Sequence, residues 1–310
     1  MKLFPRQSLF GLKYKHWTYP VALAYVMKGV MNEHPAFVKF YHKLAIRDFC
    51  KKWLKTEQNQ TFFDFNGPKL TDISNDTTQM INLLGVFDDV LLFHCFQNDD
   101  YNKDMVRYFD QFLNEGPYGY TDGSFDVTVK KGDVVVDVGA WIGDFSAYAC
   151  SKGAVAYAFE PVKNTFELLE QTAILNNVNG GVKIYPVNTG LSNVTGTVEI
   201  SINNLNSGSN SIVYDWKGNV KETINLTTLD QFVIENKLKT VDFIKADIEG
   251  AERDMLRGAN YVMKTFAPKL AICTYHLPDD PEVLENIIKT ANPNYTIVHL
   301  KHKLFAQVVK

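Results

Sequence analysis

The chain has 310 residues, 45% of them hydrophobic and 22% charged, with a formal net charge of -3. That length accommodates about two domains of ordinary size, and the balance excludes a disordered chain, a collagen-like repeat and a protein built mainly inside a membrane. A charge so near neutral also excludes a protein whose main work is gripping nucleic acid.

The opening MKLFPRQSLFGLKYKHW is basic but has neither an apolar h-region nor a small-residue cleavage site, so it does not read as a signal peptide. Residues 1–115 read as a helical region, a cap or a surface for homo-oligomerisation, with three-to-four spacing of apolar residues over 20–29, 35–54, 78–96 and 101–113. In the second segment Lys39, Lys43, Arg47 and Lys51 form a stripe apart from Phe37, Phe40, Tyr41 and Leu44. Such a stripe is ordinarily a solvated face; the functional alternative is a contact with an anionic substrate or acidic partner. The nearest approach to a membrane span, 81–96, is broken by Asp88 and Asp89. Cys50, Cys95, Cys150 and Cys273 have no metal-ligand or disulfide-framework spacing. These features predict a reduced, cytoplasmic protein without a membrane span.

From Gly116 the texture changes, and residues 116–310 read as a second domain. Short β-branched or apolar runs at 134–138, 154–159, 182–187, 242–246, 269–275 and 295–300 alternate with helical patterns at 145–150, 164–176, 253–264 and 281–291. Strands alternating with helices predict a doubly wound α/β domain on a mostly parallel, Rossmann-like sheet. Between 188 and 230 the rhythm breaks, and VTGTVEISINN and KETINLTTL predict an inserted β-hairpin around the loop NLNSGSNS. His299 and His302 fall in and after the last run with Lys301 and Lys303, a pattern that reads as surface. His94, inside LLFHCF, reads as a core histidine.

The sharpest local signal is Asp137-Val138-Gly139-Ala140-Trp141-Ile142-Gly143, directly after the first strand and opening a helix. Glycines there let the backbone turn and approach a ligand where a Cβ would clash. Trp141 either covers that ligand or packs as an ordinary aromatic. Glu160 ends the second strand, the place from which an acidic residue holds a ribose in sheets of this type. The dinucleotide fingerprint needs a middle glycine, and here that position is Trp141; no phosphate-binding P-loop occurs anywhere. A looser loop with acidic neighbours suits S-adenosylmethionine, which carries an amino group and a sulfonium in place of phosphates.

These stretches resemble the FkbM family of S-adenosylmethionine-dependent methyltransferases. The resemblance rests on VVVDVGAWIGDFSAYA (134–149), AYAFEPVKNTFELLEQTAILNN (156–177), VDFIKADIEGAERDMLRGA (241–259) and TYHLPDD (274–280). It implies a seven-stranded class I methyltransferase fold over about 117–300 and does not reach the first 115 residues. It further implies that Asp137, Gly139 and Gly143, with Ala140 and Trp141 in the same loop, shape the methionine end of the donor pocket. By the same implication Glu160 holds the ribose, Asn188 stands near adenine, and the acceptor is a hydroxyl on a sugar, glycan or secondary metabolite.

An alcohol is a poor nucleophile until its proton leaves, so O-methylation gains from a base or a metal. Asp247 and Glu249 sit at the end of the fourth strand, two apart and therefore on one side of an extended chain. His276 ends the fifth. These three are expected to converge as metal-free catalytic groups, with a divalent metal held by the same three as the alternative. Glu249 and Glu252 have a plainer reading too, as acidic residues complementing a helix start. The expected activity is thus an S-adenosylmethionine-dependent O-methyltransferase. A catalytically silent donor-binding module, an NAD-dependent sugar-modifying enzyme and N-methylation are the alternatives.

Overall fold

The computed structural model describes residues 49–83, 118–177, 183–202, 210–211, 220–300 and 302–309, together with 43, 46 and 47. The segments 20–29 and 101–113, His94, the basic stripe apart from Lys43, Arg47 and Lys51, and the loop tip at 203–209 lie outside the described residues. Residues 49–53 and 77–83 are helical. Between them, within the region 1–115 expected to be helical, runs instead an antiparallel meander of β1 (Leu54–Glu57), β2 (Gln60–Asp64) and β3 (Lys69–Thr71). Gln58 and Asn59 turn β1 into β2 with φ of 50° and 64°, a two-residue hairpin without the glycine that usually marks one.

A short hairpin, β4 (Tyr120–Asp122) and β5 (Phe125–Val127), leads into the main sheet. In chain order this sheet is built from β6 (Val134–Val138), α1 (Asp144–Ser151), β7 (Val155–Phe159), α2 (Lys163–Asn176) and β8 (Ile184–Val187). The predicted insertion follows as β9 (Gly190–Leu191), β10 (Gly196–Ser201) and β11 (Lys221–Thr227), which form their own sheet in the order β10-β11-β9. Then come α3 (Leu229–Glu235), β12 (Phe243–Ala246), α4 (Glu252–Arg257), α5 (Asn260–Thr265), β13 (Lys269–Cys273), α6 (Asp280–Ala291), β14 (Tyr295–Leu300) and β15 (Lys303–Val308).

The seven strands run β14-β15-β13-β12-β6-β7-β8, with β13, β12, β6, β7 and β8 mutually parallel and β15 antiparallel to both its neighbours. This is the doubly wound α/β architecture expected. Every residue of β12 is buried, because a central parallel strand is covered by helices on both faces. Two local readings change. The pattern over 253–264 divides into α4 and α5 beside Gly258, where a Cβ would stand 2.0 Å from the Ser192 carbonyl oxygen. Lys303, expected at the surface, is buried at the start of β15, because that strand inserts between β13 and β14.

The meander packs on the helical layer of this sheet. Phe63, Phe65 and Leu70 share one core with Ala140, Phe145 and Leu169. The Thr71 amide donates to Thr172 Oγ1 and the Lys69 amide to Asn176 Oδ1, both on α2 at 3.1 Å. Among the described residues no helix is long and apolar enough to cross a membrane.

Candidate functional site

The strand order reverses direction at β6: the chain moves outward to β7 and β8, then returns to β12 on the other side. In open α/β sheets this reversal leaves a crevice at the carboxyl ends of the strands. Here it holds a cleft walled by the ends of β6, β7 and β12 and by the inserted sheet. Its charged lining residues are Glu160, Asp247 and Glu249, and among the described lining residues none is basic. Ile200, Ile224 and Leu226 of the insertion supply an apolar wall.

Gly139 has a φ of 74°, and a Cβ there would lie 2.1 Å from the Asp247 carbonyl oxygen. Only glycine lets the loop after β6 pass so close to the end of β12. Gly143 is required for another reason: its Cβ would meet Leu169 Cδ1 of α2 at 2.7 Å, so it seats a helix. Asp137 and Ala140 are fully buried beneath the loop, and Trp141, with φ 49°, lines the cleft. Asp137 accepts from Ser146 Oγ at 2.7 Å and lies 3.1 Å from Lys245 Nζ. Lys245 also donates to the Gly139 carbonyl at 2.7 Å, tying the glycine loop to β12. Burial opposes its charge, but Asp137, Asp247 and Asp144 outweigh that and hold its proton firmly.

The Glu160 carboxylate accepts from the amides of Val162, at 2.9 Å, and Trp141. Burial nonetheless pushes this carboxyl up to about 8. Asn188 donates through Nδ2 to the carbonyls of Glu160 and Pro161, both at 3.0 Å, so it braces the turn behind Glu160 and stands apart from the cleft's wall.

Asp247, Glu249 and His276 come together beside the cleft, whose lining includes the first two, each offering a ligand atom within 4.8 Å of the others. The reason differs from the one the sequence suggested. The chain leaves β12 at Ala246 and turns, with Glu249 at φ 53° and Gly250 at φ 101°, so a turn and not strand alternation brings the two carboxylates together. His276 Nε2 lies 3.5 Å from Glu249 Oε2 and 3.7 Å from Asp247 Oδ1, and Nδ1 lies 3.1 Å from Glu252 Oε1. Glu252 is fully buried and accepts from the amides of Ile248 at 2.8 Å and Gly250 at 3.1 Å, so it clamps the turn as well as facing the imidazole. Burial disfavours an imidazolium at His276, but Glu252, Asp247 and Glu249 outweigh it and raise the group to about 9. For Asp247 burial works upward, yet Lys245, His276, the Tyr118 hydroxyl and Lys303 bring it below the ordinary range.

Four residues that the sequence reading did not single out complete this arrangement. Tyr118 Oη donates to Asp247 Oδ2 at 2.5 Å and Tyr275 Oη to Asp247 Oδ1 at 3.2 Å. The Nζ atoms of Lys245 and Lys303 lie 5.2 and 4.3 Å from the Tyr118 ring centroid. A lysine inside the apolar run FIKA was a visible signal for Lys245. Tyr118 stands in a turn-rich stretch with no periodicity, and only the fold carries it to β12.

A sequence profile described as the methyltransferase FkbM domain matches residues 137–295. The chain is 27% identical over 190 residues to methyltransferase sdnD of Sordaria araneosa, covering 48% of this chain and 73% of that protein. It is 26% identical over 171 residues to hexuronic acid methyltransferase AglP of Haloferax volcanii, covering 55% of this chain and 67% of that protein. Among solved structures, methyltransferase FkbM of Methylobacillus flagellatus superposes with a TM-score of 0.47 at 22% identity, covering 76% of this chain. The chain spans only 56% of that protein's length. The profile takes in the glycine loop, Glu160, the β12 turn and His276, and on that match the chain belongs to the FkbM methyltransferase family.

Proposed function

We propose that this protein transfers a methyl group from S-adenosylmethionine to a hydroxyl of a sugar, glycan or hydroxylated secondary metabolite. The observation that carries the reading is the juxtaposition of an acidic, phosphate-averse cleft with the Asp247–Glu249–His276 cluster beside it. The carboxylates of Asp247 and Glu249, with no basic residue among the described lining residues, favour a ligand bearing an ammonium and a sulfonium and disfavour a pyrophosphate. That balance argues for the methyl donor over NAD. A fit to the donor is supported at Gly139, where a side chain would fill the turn, and at Glu160, whose carboxyl lies in the cleft wall ready to accept two ribose hydroxyls. The apolar wall of Ile200, Ile224 and Leu226 suits a purine face. In this reading Asp137, Ala140, Gly143 and Asn188 act from behind the wall, holding the loop and the Glu160 turn in place.

The donor supplies an electrophilic methyl on a positively charged sulfur. In the transfer the acceptor O–CH3 bond forms as the S–CH3 bond breaks, sulfur keeps the bonding pair, and the hydroxyl proton passes to the cluster. At neutral pH His276 already holds a proton, so the base among these side chains is a carboxylate. Asp247, fixed by two tyrosine hydroxyls and facing the cleft, is that base, and Glu249 with His276 orients the acceptor. Holding nucleophile and sulfonium in line supplies much of the remaining rate.

The identity with a hexuronic acid methyltransferase supports a carbohydrate acceptor. The test is incubation with 13C-methyl S-adenosylmethionine and a panel of uronic acids, hexoses and hydroxylated polyketides, with product methyl groups located by NMR. A methoxyl product, absent with Asp247→Asn, is the expected result. Methyl groups found only on nitrogen would overturn the O-directed reading, and donor binding without turnover on any acceptor would favour the silent module.

A further inference from the structure

We infer that Asp247, Glu249 and His276 form a binding site for a hard divalent cation of the magnesium and manganese class, placed to take the acceptor's oxygens. The inference deepens the methyl-transfer reading and rests on it for the identity of the acceptor, though not for the cation site itself; with an ion bound, His276 gives up its proton and Asp247 is a ligand, so the ion takes over the part given above to the carboxylate base.

The donor set is mixed, two carboxylate oxygens and one imidazole nitrogen, delivered from the ends of two adjacent strands, β12 and β13. Oxygen-rich sets with a single imidazole suit hard divalent ions. Spacing fits as well. Adjacent ligand atoms on a magnesium or manganese ion at about 2.1 Å stand about 3.0 Å apart in octahedral and about 3.4 Å apart in tetrahedral geometry. His276 Nε2 stands 3.5 Å from Glu249 Oε2 and 3.7 Å from Asp247 Oδ1, a few tenths of an ångström beyond those values, and all three ligand atoms lie within 4.8 Å of one another.

The surroundings of His276 point the same way. Its side chain is 3% exposed, and its Nε2 is aimed at the two partly open carboxylates. The opposite ring nitrogen faces Glu252, a carboxylate that is itself fully buried and locked by two backbone amides. An imidazole held from behind by a buried carboxylate, with its far nitrogen presented to oxygen ligands, is the outer-shell arrangement that orients metal-binding histidines. Asp247 receives parallel support from Tyr118 and Tyr275. Asp247 and Glu249 also line the donor cleft, so an ion held by them would stand at its wall.

Three protein ligands leave room for two oxygens of an acceptor, which selects compounds with neighbouring oxygen donors, such as a vicinal diol or a hydroxy acid. One of these oxygens loses its proton to solvent water, and the resulting alkoxide attacks the methyl carbon. The S–CH3 bonding pair then stays on sulfur as a neutral thioether, so charge and atoms balance.

The test is Mn2+ titration of the full, metal-stripped chain, followed by electron paramagnetic resonance, beside His276→Ala, Glu249→Gln, Glu252→Gln and His299→Ala. One Mn2+ per chain is expected in the wild type. Glu252→Gln should weaken it about 10-fold as an outer-shell change, and loss of a ligand in either of the first two variants should weaken it by more than about 100-fold. His299→Ala, which alters the surface pair with Glu285, should leave Mn2+ binding unchanged. Circular dichroism of each variant separates lost binding from lost folding, and Glu249→Gln changes a part-exposed side chain that a folded chain tolerates. Wild-type protein that takes up no Mn2+ at millimolar concentration, or that binds it equally in Glu249→Gln and His276→Ala, would overturn the cation site. Calorimetry with S-adenosylhomocysteine on the same preparation keeps the two readings apart. Homocysteine-nucleoside binding without Mn2+ sinks the cation alone, whereas Mn2+ binding without it sinks methyl transfer and leaves the cation site standing.

Discussion

Glu160 is the residue whose surroundings and role pull hardest against each other. A carboxyl buried at a level near 8 is uncharged over most of the neutral range, yet the ribose hydroxyls it is proposed to accept favour the charged form. The folded state therefore holds a proton that the unfolded chain releases near the ordinary glutamate value of 4.5. Stability is full below about 4.5, falls as pH rises toward 8, and is flat above it. Glu160→Gln lacks this loss. Its urea midpoint should exceed that of the wild type at pH 8.5 and converge with it near pH 4, while S-adenosylhomocysteine binding is lost. In the wild type that affinity should fall roughly tenfold per pH unit below the carboxyl's folded value. A wild-type-to-variant midpoint difference that stays constant across this range would refute the burial argument.

At the scale of elements, the helical segment after the β12 turn is two helices because three elements meet there. Gly258 sits against the Ser192 carbonyl, and the Asp230 carboxylate at the start of α3 accepts from the amides of Tyr261 at 2.8 Å and Val262 at 3.0 Å. Asp230 thereby does for α5 what a capping side chain does within one helix, from 31 residues away. Asp230→Ala should lower unfolding free energy by about 1 kcal/mol, read as a shift of the urea midpoint, without changing donor affinity. A fall in donor affinity of the same size would instead place α5 in the cleft's support. Arg253 shows the same logic between α4 and α6, with Nε 2.7 Å from the fully buried Asp280. The aspartates of TYHLPDD thus serve packing, and Tyr275 and His276 are the residues of that segment that reach the site.

On the scale of the whole molecule, the described residues before Gly116 belong to the same core as the α/β sheet. Leu70 is fully buried in a cluster that includes Phe145 beneath the glycine loop. We therefore propose that a boundary at 115 marks a change of sequence texture more than a separation of folding units. Leu70→Ala should lower stability by about 2–5 kcal/mol and move one cooperative transition, seen alike by tryptophan fluorescence and far-ultraviolet circular dichroism. Two separated transitions would show that the meander folds on its own.

The alternation of apolar runs with helical patterns was enough to determine the doubly wound sheet, because a parallel strand buried on both faces must be almost wholly apolar and its crossovers must be helical. The glycine loop and Glu160 were legible for a related reason: backbone turning and strand ends are local matters, written in consecutive residues. What only the tertiary structure decided depends on residues distant in the chain. The two carboxylates meet through a left-handed turn at Glu249, a conformation that residue type does not announce. Tyr118 reaches Asp247 across 129 positions, and Lys303 becomes buried because an antiparallel strand enters between β13 and β14. Periodicity reports which face of an element is apolar; which elements then become neighbours is set by how their faces are covered together, and that set the charge and spacing of this site.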